Sequence, residues 1–112
     1  MFQLHPKIRW AAFASDDGKV HFSKMRGGVE SYTTEAEDRS FMELGPLFMT
    51  SLAERLTPAE KAGRLESIVV NLDKDSILLM KVENGHLAIS ADRASSVDVF
   101  VKISPIIRQR FT

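Results

Sequence analysis

The 112-residue chain is 44% hydrophobic and 27% charged, which fits one globular domain over residues 1–112 and excludes wholesale disorder. Fifteen Lys and Arg balance fifteen Asp and Glu, so composition forces no basic face for nucleic acid or anionic lipid. Cysteine is absent, which excludes disulfides, thiolate metal sites and a Cys nucleophile. No apolar run approaches the ~18 residues of a membrane span, and "MFQLHPKIRW" lacks a secretory core, so a cytoplasmic protein is expected.

The first strand is expected in "KIRWAAFA", Lys7 to Ala14. Ile8, Trp10, Ala12 and Ala14 share one face and Ala11 and Phe13 the other, a pattern that belongs inside a sheet. Asp17-Gly18 suits a tight hairpin, and the more polar "VHFSKM" returns nearer an edge. Gly27-Gly28 marks a loop. Thr34 and Glu37 then form the T-x-x-E capping box that opens a helix. Its stripe is Phe41, Leu44, Phe48, Leu52 and Leu56, expected on the sheet, with Met42 and Met49 flanking it. Gly45-Pro46 predicts a kink or two short helices. "TPAEKAG" predicts one further turn, capped by Thr57 and stopped by Gly63. Three strands of a meander follow. The first carries Ile68, Val70 and Leu72 on one face, the second runs from Ile77 to Val82, and the third from His86 to Ala91. Asp73 to Ser76 makes the first turn, and Asn84-Gly85 signals the second. Ser95 with Asp98 fits the cap of a last helix carrying Val97, Phe100, Val101 and Ile107, although "VDVFVKIS" also alternates like a strand and Pro105 interrupts, which allows a helix that begins only near Ser104.

The chemistry-bearing residues form no catalytic or metal set. His5, His21 and His86 have no helical spacing, and His21 and His86, even as strand neighbours, are too few ligands for zinc. Asp73 and Asp75 have the D-x-D spacing of a calcium loop without its Gly and distal Glu. No serine sits in G-x-S-x-G, and Arg26-Gly27-Gly28 lacks the remainder of a phosphate loop. No cofactor and no enzymatic activity are expected. Charge is uneven. Lys7, Arg9, Lys19, Lys24 and Arg26 against Asp16 and Asp17 give residues 1–28 a net +3, whereas five acids against Arg39 give residues 29–45 a net −4. Such a dipole can orient a partner or a second copy. Phe41, Met42, Phe48 and Met49 are more apolar surface than one helix face needs, a feature of interfaces.

The order strand, strand, long helix, three-strand meander, helix, with "IRWAAFASDDGKV" opening and "IVVNLDKDSILLMKVENGHLAIS" closing the sheet, resembles the roadblock (dynein light-chain) domain of the profilin-like group. "HPKIRWAAFASDDGKV" with "FMELGPLFM" also resembles a small archaeal family related to that fold. The resemblance covers about residues 5–108 and rests on turns and hydrophobic pattern. It implies an α+β fold with a five-stranded antiparallel sheet and helices packed on it. It also implies a homodimer through the long helix and the neighbouring sheet edge, here Phe41, Met42, Phe48, Met49, Leu52, Ile68 and Val70. Such domains act as non-enzymatic adaptors or regulators for small GTPases or larger complexes. They normally open with a helix, but only "MFQLHP" precedes the first strand here, so part of one sheet face is expected to be bare. A second reading is a small-molecule sensor of PAS or GAF type, with a pocket lined by Phe48, Met49 and Met80 beside Gly45-Pro46.

Overall fold

A computed structural model describes residues 1–56 and 62–111. Its elements are a short 3-10 turn at Phe2–Leu4, β1 (Trp10–Ser15), β2 (Val20–Met25), α1 (Glu35–Leu56), β3 (Ser67–Asn71), β4 (Asp75–Val82), β5 (Gly85–Asp92) and α2 (Ser96–Phe111). The strands form one antiparallel sheet in the order β2-β1-β5-β4-β3, so β2 and β3 are its edges. Every residue of β4 except Lys81, and every residue of β5 except Asp92, is buried. Side chains alternate across a strand, so strands buried on both faces need a helical layer on each.

The layers are built by α1 and α2. Under α1 lie Trp10, Ala12, Ala14, Ile77, Leu79 and Ala88, with Met42 and Met49 inserted from the helix. Under α2 lie Ala11, Leu78, Met80, Leu87 and Ile89, met by Val99, Phe100, Ile103 and Ile107, while Met1, Phe2 and Leu4 pack at the margin. Ile8, expected beside Trp10, belongs to the α2 layer. It precedes β1, and its N–H turns back to the His5 carbonyl (3.4 Å), so the strand's alternation does not reach it.

The local signals act largely as the residues dictate. Thr34 N–H donates to Glu37 Oε1 (2.9 Å) and Glu37 N–H donates to Thr34 Oγ1 (3.1 Å), a reciprocal capping box. Gly18 takes a φ of +87° in the β1–β2 turn, where its N–H meets the Ser15 carbonyl. Three expectations are corrected. α1 is one helix through Gly45-Pro46 rather than two short ones, and the turns on either side are held to the sheet by Met42 and Met49. α2 likewise runs through Pro105, with the Ser104 hydroxyl bonded to the Phe100 carbonyl (2.5 Å), and it exposes Val97 and Val101. The β4–β5 turn is Glu83-Asn84, closed by Val82 opposite Gly85, and Asn84 carries the positive φ of 65°. Thr57 to Lys61 of the further predicted turn lie outside the described residues.

Gly85 has a different role from the one its dipeptide suggests. A Cβ there would stand 2.2 Å from the Ala14 carbonyl oxygen and 2.7 Å from the Phe13 ring. The close pairing of β1 with β5 requires its absence. Gly85→Ala is expected to destabilise the fold by roughly 2–4 kcal/mol in urea denaturation. Wild-type stability in that variant would contradict the pairing described.

Candidate interaction surfaces

α1 is apolar on two opposite sides. Met42 and Met49, seven residues and two turns apart, face the sheet and are 1% and 2% exposed. Leu44, Leu47 and Phe48 sit on the far side, 66%, 65% and 60% exposed. Leu44 and Phe48, expected on the sheet, therefore form a solvent-facing ridge. Both sets are apolar at helical spacing, and the sheet beneath, which receives Met42 and Met49, decides which is buried. Of the residues expected at an interface, Met42 and Met49 are internal, and Phe41 is half-buried edge-on to Trp10 at 6.3 Å. Leu52 is half-buried, and Phe48 is open. Ile68 and Val70 are half-buried on the α1 face of the edge strand β3. Leu47 was not singled out by the pattern; its position opposite the buried methionines is the signal that finds it.

β3 pairs on one side only, with β4. Among the described residues nothing pairs with its other side, and Val69 and Leu72 beside it are half exposed. Long apolar side chains open to water together with a free sheet edge are the physical marks of a surface that another chain covers.

Solved structures share this architecture. A Roadblock/LC7 domain from Streptomyces avermitilis superposes with a TM-score of 0.68 at 15% identity, covering 97% of this chain and 89% of that one. Myxococcus xanthus MglB gives 0.67 at 14% identity, over 92% of this chain and 81% of that one. An MglB structure described as having a tetrameric arrangement gives 0.70 at 13% identity, over 96% and 78%. The fold is that of the roadblock domain. No family model matches the chain, and no curated protein matches it.

In this roadblock fold the sensor pocket does not assemble. Met49 lies in the α1 layer, Met80 in the α2 layer across the sheet, and Phe48 points to solvent. Among the described residues no three His, Cys, Asp or Glu side chains converge as metal ligands, and no helix is long and apolar enough to cross a membrane. His86 is buried beside β1, and burial together with Lys81 lowers its pKa, whereas His21 bonds the Ser15 hydroxyl at 2.8 Å. Arg26 is committed to structure. Its guanidinium donates to the carbonyls of Ile8 (2.6 Å), Phe2 (2.9 Å) and His5 (2.7 Å), tying the N-terminal segment to the sheet.

The β2–α1 connection is anchored by a polar cluster that sequence pattern did not reveal. Arg9 donates to the Glu30 carbonyl (2.5 Å), stacks over the Tyr32 ring at 4.1 Å and lies 3.5 Å from Asp92. The Tyr32 hydroxyl donates to Asp92 (3.0 Å). Beneath them Asp75 is 7% exposed, and its Oδ1 has no hydrogen-bond partner. It borders a cavity of about 20 Å³ with Arg9, Tyr32, Asp38 and Ser90. Burial raises the Asp75 pKa to about 6, against the pull of Arg9 and the Ser76 N–H, and Asp92 and Asp38 push it the same way as burial. The folded state therefore binds this proton more tightly than the unfolded chain. The resulting stability is present below about pH 4 and is lost as pH rises through about 6. Asp75→Asn is expected to stabilise the protein by about 1–2 kcal/mol at pH 7.5 and to have little effect near pH 4, read by thermal melts across that range. An Asn variant less stable than wild type at pH 7.5 would show the carboxylate to be favourably held.

Proposed function

We propose that this chain is a non-enzymatic protein-interaction module that works as a homodimer, with a small GTPase or a larger complex as partner. The observation that carries the reading is the ridge of Leu44, Leu47 and Phe48, exposed on the side of α1 opposite its own core. Those side chains gain about 1.5–3 kcal/mol each from full burial, and nothing within the described residues covers them. The free edge of β3 supports the same reading, since two copies related by a two-fold axis pair like edges antiparallel and extend the sheet. The roadblock fold and the tetrameric arrangement of a structure sharing it add support for self-association. Near-zero net charge removes one barrier to it.

The test is molar mass in solution, by size-exclusion chromatography with light scattering over a wide concentration range. A dimer is expected for the wild type. Leu47→Glu with Phe48→Glu is expected to give a folded monomer, because both positions point away from the sheet and the intrachain core is untouched. A wild type that stays monomeric at high micromolar concentration would remove the dimer from this proposal. Unchanged association in the double variant would move the interface off the ridge.

A further inference from the structure

The opposite edge of the sheet carries a second feature. Arg26 N–H donates to the Arg9 carbonyl at 2.7 Å, and Trp10 faces Met25 and Ala12 faces Ser23 in the same register. Hydrogen-bonded and non-bonded pairs alternate along an antiparallel ladder. Lys24 and Phe22 therefore bond to β1, while Ser23 and Met25 turn their backbone N–H and C=O groups outward. Two residues, His21 and Phe22, oppose Phe13, a bulge that shortens the free edge to a few residues.

Two grooves of unlike chemistry flank that edge. On the α1 face a cavity of about 460 Å³ runs between Val20 and Ser23 on one wall and Glu35, Asp38, Arg39 and Glu43 on the other. Its charged lining is three acids against one base, and among the described residues neither Glu35 nor Glu43 has an ion-pair partner. On the α2 face a cavity of about 320 Å³ is largely apolar, walled by Phe13, Phe22, Leu87 and Phe111, with Glu83 and Arg110 also in its lining. A strand added to an edge sends successive side chains to opposite faces.

We propose that the β2 edge binds an extended segment of a partner protein in which basic and apolar residues alternate. The backbone groups of Ser23 and Met25 pair with the segment. Its Lys or Arg side chains enter the Glu35–Glu43 groove, and its apolar side chains enter the groove at Phe22. The site names the partner chemistry for the interaction-module reading, and it lies at the far end of the sheet from β3, so it does not require the dimer.

The test uses the full chain, ¹⁵N-labelled and titrated with a capped hexapeptide alternating Arg and Val. Saturable amide shifts are expected in β2 and the first turns of α1. Affinity should fall steeply with added salt. Ser23→Pro removes one outward donor and should weaken binding roughly tenfold or more. Glu35→Lys with Glu43→Lys changes exposed side chains only and should weaken binding by roughly tenfold as well. Equal affinity for an alternating Glu-Val peptide, shifts confined to other strands, or no shifts up to millimolar peptide would overturn the proposal. So would β2 shifts that grow with chain concentration alone, since a second copy would then be the occupant. Solution mass reports on the dimer and these amides on the peptide site, so either reading can fail without the other.

Discussion

The structure depends on one mismatch of widths. Five strands about 4.8 Å apart make a sheet about 20 Å across, and a helix with its side chains is about 10 Å wide. One helix per face therefore covers about half of that face. Buried strands β4 and β5 require cover on both faces, and the chain supplies one long helix for each. α1 lies nearest β1 and β2 on its face, and α2 lies against β4 and β5 on the other. The cover is diagonal, and so are the two margins it leaves. One is the β3 side of the α1 face, with Ile68 and Val70 half-buried. The other is the β2 side of the α2 face, with Phe13 and Phe22.

The N-terminal segment partly fills the second margin. Met1, Phe2 and Leu4 pack against the α2 layer, and three carbonyls of that region hold the Arg26 guanidinium. The 3-10 turn at Phe2–Leu4 leaves the groove between Phe22 and Phe111 open beside it. Exposed apolar side chains lie beside both sheet edges, on one ridge of α1 and at Val97 and Val101 of α2.

Much of the architecture was legible in the residues. The strands, the reciprocal Thr34–Glu37 cap and the order of elements are local properties, set by alternation and by turn chemistry. The errors share a cause. Gly45-Pro46 and Pro105 are local helix breakers that tertiary packing overrides, since each helix is held on both sides of its proline. The choice between Met42–Met49 and Leu44–Phe48 as the buried stripe has no local answer, because both are apolar at helical spacing. Only the sheet beneath decides it. Gly85 reads as a turn residue because Asn-Gly is a turn signal, yet its constraint comes from Ala14, seventy residues away in sequence. The Arg9–Tyr32–Asp92 cluster over Asp75 joins three distant segments, and no periodicity marks such a contact.

Asp75 connects this cluster to the interaction surfaces. A buried carboxylate with an unbonded oxygen costs stability at neutral pH that an apolar or amide side chain would not. Its neighbours Tyr32 and Asp38 belong to the segment that fixes where α1 begins, and Arg9 holds that segment through the Glu30 carbonyl. The direction in which α1 leaves that cluster sets both the placement of Leu44, Leu47 and Phe48 and the depth of the groove lined by Glu35, Asp38 and Glu43. The Arg9–Tyr32 clamp, seated over Asp75, thus anchors the start of the helix that carries both surfaces.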